Sequence, residues 1–196
     1  LKFNPIELHG PWKAGCALDV HTVSSEYLGD DQFGHPQFNT IRSNVGELLY
    51  RLKYQNDKTV VKMLAESAAR FIKSNNWSVD LIAAVPASQL KRRSQPVHVL
   101  ARALGGALEV PVAVDCIVKV KATPELKNIY EVNERSNLLR DAYVISNQEI
   151  DEKRILVLDD LYRSGATLSA VVQSIKEQCK PKYVYALTFT KARTKQ

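Results

Sequence analysis

An α/β domain built on a mostly parallel, twisted sheet flanked by helices is what this sequence predicts, on three observations. Short apolar runs of strand length alternate with segments whose apolar residues recur at helical spacing. Twice, such a run leads into a polar loop and then a helix, the unit from which parallel sheets are assembled. With 45% apolar and 24% charged residues among 196, the chain can bury the core that such a sheet needs.

Residues 1–40 read as an irregular N-terminal elaboration that contributes to a hood or cap, and 41–196 as the α/β domain. Within the first part, 18–23 has strand character, Gly29-Asp30-Asp31 signals a turn, and 33–38 reads as a loop pinned by two aromatics. His9, His21 and His35 are candidate ligands or bases on residue type alone; they share no helical spacing, which favours structural or exposed roles. Asn44-Val45-Gly46-Glu47, followed by Leu48, Leu49 and Leu52, predicts a short amphipathic helix ending near 53–57. A second helix places Val60, Val61, Leu64, Ala68, Phe71 and Ile72 on one side and stops at Asn75-Asn76.

Leu81-Ile82-Ala83-Ala84-Val85 is a strand that Pro86 ends. The loop Ala87-Ser88-Gln89-Leu90-Lys91-Arg92-Arg93-Ser94 is polar and basic; its three consecutive cations suit a pyrophosphate clamp as well as a solvated loop. Pro96 opens a helix with Val97, Leu100, Ala101 and Leu104 inward, and Gly105-Gly106 is the expected stop. Strands follow at 110–114, 116–120 and 141–145. Between them, 121–138 is charged, poor in apolar residues and long for a connection, which is the mark of a lid or binding loop.

The most informative stretch is Ile155-Leu156-Val157-Leu158-Asp159-Asp160-Leu161-Tyr162-Arg163-Ser164-Gly165-Ala166-Thr167. Four apolar residues predict a buried strand, with two carboxylates where it ends. After the Ser164-to-Thr167 turn, Leu168, Val171, Val172 and Ile175 fall on one helical face. A helix N-terminus offers unpaired N–H groups and partial positive charge, so this turn suits a phosphate. Adjacent carboxylates would repel a bare phosphate, but they suit ribose hydroxyls or a hydrated divalent cation. The plainer reading is a solvated acidic turn before a helix capped by Ser164 or Thr167. A long final strand at 182–190 closes the pattern.

Composition excludes several classes. Cys16, Cys116 and Cys179 are odd in number and far apart, so neither a disulfide framework nor a zinc site is expected, and free thiols fit a reducing, cytoplasmic setting. No apolar stretch approaches the roughly 20 residues that cross a bilayer, and no basic-then-apolar leader is visible. The net charge of +6 is compatible with phosphorylated ligands or nucleic acid.

The segment Leu158 through Leu168 resembles the phosphoribosyl pyrophosphate (PRPP) signature of type I phosphoribosyltransferases: an apolar strand, two acidic residues, then Thr/Ser-Gly-x-Thr. The wider chain, over about 45–190, resembles the ComF family of phosphoribosyltransferase-like proteins associated with DNA uptake, through Leu52-Lys53-Tyr54-Gln55-Asn56-Asp57, Val85-Pro86 with its basic loop, Leu100-Ala101-Arg102-Ala103-Leu104, and Asn133-Glu134-Arg135-Ser136-Asn137. The resemblance implies that Asp159 and Asp160 hold the ribose hydroxyls. It further implies that Arg163, Ser164, Gly165, Ala166 and Thr167 cradle the 5′-phosphate, and that Ala87, Ser88, Lys91, Arg92 and Arg93 hold the pyrophosphate. Lys119, Lys121 and Arg135 would belong to a hood over about 119–138. Mg²⁺ would come mainly with PRPP, with Asp159 and Asp160 as its nearest protein carboxylates.

The implied reaction transfers phosphoribosyl to a nucleobase-like acceptor and releases pyrophosphate. The alternative is a non-catalytic PRPP or nucleotide sensor, or an accessory factor that handles single-stranded DNA with DNA-processing partners. Related folds often dimerise, so a homodimer belongs to the implied properties. Two departures stand out. The family often carries a Cys-rich zinc segment, absent here apart from Cys16, and its common Arg-Gly-Phe-Asn-Gln pattern appears as Arg93-Ser94-Gln95-Pro96-Val97.

Overall fold

The apolar runs of the chain lie side by side. The computed structural model describes residues 1–87, 95–120, 142–146 and 150–193. Along them the order is β1 (Ile6–Glu7), β2 (Ala14–Val20), β3 (Thr22–Asp30), β4 (Pro36–Arg42), α1 (Asn44–Tyr54), α2 (Val60–Ser74), β5 (Leu81–Ala84), α3 (Pro96–Leu108), β6 (Val112–Ala113), β7 (Ile117–Lys119), β8 (Tyr143–Ile145), β9 (Arg154–Tyr162), α4 (Ala166–Gln178) and β10 (Tyr183–Lys191). Six strands form the central sheet in the order β1-β2-β10-β9-β5-β6. Only β1 runs antiparallel to its neighbour. The fold is the mixed α/β arrangement with a mostly parallel sheet that the alternation of patterns predicts.

Central parallel strands are covered on both faces, so they read as unbroken apolar runs. Ile155, Leu156, Val157 and Leu158 are all fully buried. Successive side chains leave a strand on opposite faces, and the two cores follow that parity. Leu156 and Leu158 pack with α1, α2 and α3, together with Leu187 and Phe189. Ile155 and Val157 pack with α4 and with residues of β7 and β8. The inner face of α4 is Leu168, Val171, Val172 and Ile175, as the spacing predicts. Asp80 anchors the start of β9, accepting from both the backbone N–H and the guanidinium Nε of Arg154 at 2.8 Å.

The connections decide where a ligand can sit. From β5 the chain passes through α3 to β6 at one edge; from β9 it passes through α4 to β10 in the other direction. Strand order therefore reverses between β5 and β9. In open parallel sheets that is where a crevice forms, beyond the carboxyl ends of the strands.

Several expectations need correction. Residues 1–40 are not irregular: β1 and β2 join the central sheet, β2 pairing with β10. The expected loop at 33–38 is the end of a hairpin, β3–β4, that leaves the sheet after β2. The hairpin returns so that Ser43 caps α1, accepting from the Gly46 N–H at 3.0 Å while its hydroxyl donates to the Val20 carbonyl. Helix α3 continues through Gly105-Gly106 because Gly105 is a packing position. A Cβ there would lie 2.1 Å from the Val112 side chain. The helix ends at Glu109, in left-handed backbone with φ of 60°. The strands expected at 116–120 and 141–145 form a separate ribbon, β7–β8.

Leu187, fully buried at the centre of the sheet, tests this packing. Leu187→Ala should cost about 2–5 kcal/mol by loss of transfer free energy plus a cavity. The expected readout is a lower urea midpoint with an unchanged denaturant slope.

Candidate functional site

The two edges of β9 part company at its carboxyl end. Its pairing with β5 stops at Ala84↔Leu158, with one further bond from the Val85 N–H to the Leu158 carbonyl at 2.9 Å. Its pairing with β10 continues to Lys191↔Tyr162. Asp159 and Asp160 thus lie within the strand, not past its end as the apolar run predicts. They hold regular extended backbone while one edge opens onto the crevice.

Strand parity sends the two carboxylates to opposite faces. Asp160 faces the side of α1 and forms an ion pair with Lys53, from the last turn of that helix; their side chains are 13% and 16% exposed. Asp159 faces the side of α4 and β8. Its Oδ1 accepts the Asp160 backbone N–H at 2.8 Å. Burial, and then the Asp160 charge, push its carboxyl up to about 8, while Lys53 pulls the other way. The Tyr143 phenol of β8 is buried in turn and raised to about 12, with the Asp159 charge adding to the effect of burial and the Thr167 hydroxyl opposing it. Asp159, Tyr143 and Thr167 therefore share one small region.

The turn after β9 has neither of the expected caps. Gly165 is the N-cap of α4, with φ of 81° and no side-chain cap bond, so Ser164 and Thr167 do not cap. Among the described residues no side chain caps the first N–H groups of α4, a place that suits an anion. Only glycine fits at 165. Its φ is left-handed, and a Cβ there would lie 2.3 Å from the Tyr162 hydroxyl. Arg163 and Ser164 are exposed beside the turn, and Ala166 is buried beneath it.

His21, expected to be structural or exposed, is half-buried where β2 ends. Its Nδ1 lies 3.1 Å from Thr190 Oγ1, whose hydroxyl also lies 3.2 Å from the Asp160 carbonyl. Burial lowers its pKa, and nearby Lys53, Arg42 and Arg163 lower it further against the opposing Asp160. The N-terminal segment thus reaches the rim of the crevice. Ala87, the described member of the basic-loop set, is half-buried just past β5. Ser88, Lys91, Arg92, Arg93, Lys121 and Arg135 lie outside the described residues. Lys119 stands opposite Tyr143 in the β7–β8 ladder, so the two side chains share a face; burial lowers its pKa.

Nothing in the sequence assigns a function to Lys53 or Tyr143, and His21 is a candidate there on residue type alone. Lys53 sits inside the segment 52–57 that carries the family resemblance, but nothing in its spacing announces a partner on β9.

A metal would find two protein carboxylates here, one of them already paired. Among the described residues no group of three or more His, Cys, Asp or Glu side chains lies close enough to hold a metal ion. Mg²⁺ prefers six oxygens, so the donor set fits an ion that arrives with most of its ligands on a phosphorylated molecule or as water. Nor is any helix of the described residues long and apolar enough to cross a membrane.

The fold, a mostly parallel sheet flanked by helices, is shared with solved phosphoribosyltransferase-type structures. Among solved structures, the chain is similar to glutamine PRPP amidotransferase from B. subtilis complexed with ADP and GMP, at 14% identity and a TM-score of 0.50 over 81% of this chain and 34% of that one. The chain thus spans about a third of that enzyme's length. It also matches adenine phosphoribosyltransferase from Leishmania donovani at 10% identity and a TM-score of 0.47, over 86% of this chain and 64% of that one. A hypothetical protein from Neisseria gonorrhoeae with bound ppGpp matches at 13% identity and a TM-score of 0.45, covering 71% of each chain. No protein-family model and no curated protein matches the chain.

Removing Lys53 should expose the cost of two adjacent carboxylates. Lys53→Met is expected to give the site an affinity for Mn²⁺ alone that the unsubstituted protein lacks, measured by Mn²⁺ electron paramagnetic resonance titration. Equal, weak Mn²⁺ binding by both proteins would show that the ion pair does not govern the charge of the site.

Proposed function

We propose that the crevice between the ends of β5 and β9 binds PRPP with Mg²⁺, and that the protein transfers its phosphoribosyl group to a nitrogenous, nucleobase-like acceptor with release of pyrophosphate. One observation carries this reading. Two carboxylates and an uncapped glycine turn stand on one strand–turn–helix unit, at the point where the sheet's strand order reverses. A ribose phosphate has the matching parts, with hydroxyls for the carboxylates and a 5′-phosphate for the N–H groups of the turn. The family proposed is the ComF-like branch of these proteins, on the sequence segments that resemble it.

In this reading Asp160, paired with Lys53, and Asp159 accept hydrogen bonds from the ribose hydroxyls. Residues 163–167 bind the 5′-phosphate, and the loop from Ala87 through Arg93 receives the pyrophosphate. Lys119, Lys121 and Arg135 belong to the covering segment. Mg²⁺ supplies charge neutralisation on the pyrophosphate oxygens when bound. In the transfer, the bond from the ribose C1 to the pyrophosphate oxygen breaks and its electron pair leaves with pyrophosphate. The acceptor nitrogen forms the new bond to C1 and gives up its proton. Positive charge grows on the ribose ring meanwhile, where the carboxylates stabilise it.

The test is a calorimetric titration with PRPP and Mg²⁺, paired with pyrophosphate release across a panel of nucleobases. Saturable binding with release for one acceptor is expected. Binding without release would remove the transfer step, and the absence of binding would remove the reading. Asp159→Asn/Asp160→Asn should weaken PRPP binding by roughly 10²- to 10⁴-fold, the scale of two lost charge-assisted hydrogen bonds at about 1.5–3 kcal/mol each.

The raised carboxyl of Asp159 adds a pH dependence. A group lifted from the usual carboxylate range to about 8 is protonated at pH 6 and must lose that proton to offer a ribose hydroxyl a charged acceptor. PRPP affinity should therefore rise from pH 6 towards pH 8 and level off above it. It should fall up to tenfold for each unit below. In Asp159→Asn the contribution of this group should be lost, leaving only the dependence that comes from the phosphates of PRPP.

A further inference from the structure

The opposite end of the sheet carries a feature that the acidic crevice does not use. Between the end of α4 and the start of β10 lies an open cleft of about 480 Å³, lined by Lys13, Lys176, Lys180, Lys182, Trp12 and Tyr183 among others, with no carboxylate in the lining. Tyr183 starts β10, and Lys191 ends it beside Tyr162. Asp159 pairs with Thr188, so at ~3.3 Å per residue the cleft is about 17 Å from the acidic pair along that strand.

Four lysines line this one concave surface. None of the four lysines forms an ion pair among the described residues. Two carboxylates lie nearby without lining the cleft: Asp151 accepts the backbone N–H of Lys180, and Asp80, held by Arg154, also feels the charge of Lys182. Lys176 is explained in part by the end of α4, where a cation meets the helix dipole. The other three have no such role. Lys13 is also held in place, with its ammonium 3.7 Å from the centre of the Tyr183 ring. A cleft lined by one sign of charge focuses its field and concentrates the opposite ion, and this volume is that of a small-molecule site.

The aromatic residues decide between anion classes. Single-stranded nucleic acid needs free ring faces on which bases stack. Trp12 is buried, its indole N–H donating to the Leu8 carbonyl at 2.7 Å, and Lys13 covers a face of Tyr183. Neither ring is a free platform, while Lys176, Lys180 and Lys182 form no ion pair among the described residues. We propose that this cleft binds a compact anion of two or more linked phosphates, either inorganic or carried by a nucleotide, at a site separate from the acidic crevice.

Trp12 lines the cleft and is one of two tryptophans in the chain, so Trp77→Phe makes it the sole reporter. The full chain carrying that change is titrated with inorganic tripolyphosphate without divalent cations, following indole fluorescence. A saturable change is expected, and Lys180→Gln/Lys182→Gln should weaken it roughly tenfold as two point charges are removed. Asp159→Asn/Asp160→Asn should leave it unchanged, which separates this site from the crevice. ATP binding as tightly as tripolyphosphate would confirm recognition of the phosphates alone, and tighter ATP binding would assign a nucleotide. The proposal is overturned by the absence of saturation, or by an equal loss in Lys62→Gln/Lys73→Gln on the remote helix α2, which would mark diffuse charge attraction. Displacement by a short oligothymidylate at lower phosphate concentration than tripolyphosphate would also overturn it, assigning the surface to nucleic acid.

Discussion

β9 stays with β10 as far as Tyr162 but leaves β5 after Leu158, and the candidate site depends on that difference. An extended backbone held on one side only presents two consecutive side chains rigidly, on opposite faces, with an open edge between them. Had β5 continued, pairing and packing would have closed the crevice. Had β10 stopped with β5, Asp159 and Asp160 would have sat in a loop without fixed directions. The reversal of strand order places this open edge beside the loop that follows β5, which is the usual position of ligand crevices in parallel sheets.

Two neighbouring carboxylates in a half-buried place are costly unless their surroundings treat them differently. Here each face supplies its own environment. Asp160 meets a cation from α1, while Asp159 is enclosed near Tyr143 and is pushed towards its neutral form. The pair thus holds one compensated charge and one group whose protonation can respond to a ligand. The glycine turn adds partial positive charge from the first N–H groups of α4, so the site has both an acidic and a basic side within a few residues of chain.

Much of the fold was legible because burial on both faces leaves a plain trace. The strands at 81–85 and 155–158 and the helical faces of α2 and α4 follow directly from apolar spacing. The N-terminal strands did not, because β2 mixes small residues such as Ala14, Gly15 and Ala17 with a buried Asp19, and β3–β4 has exposed apolar residues on a solvated ribbon. Gly105-Gly106 misled for a related reason. Glycine there answers to the close approach of Val112, a contact invisible to local propensity. In the site, the acidic pair and the glycine turn were readable as a motif. Lys53, His21 and Tyr143 were not, since each comes from a different element and meets the motif only across the sheet.

By itself, then, the sequence determined the class of fold, the identity of the acidic pair and the need for glycine in the turn. These are properties of short segments, in which periodicity and backbone freedom act between near neighbours. Only the tertiary structure decided that β9 runs on past its apolar core, that Gly165 rather than Ser164 or Thr167 starts α4, and that Lys53 takes up the charge of Asp160. Those outcomes turn on which strands pair and where each pairing ends. Hydrogen bonds and charges between distant segments set them, and no local pattern records such partners.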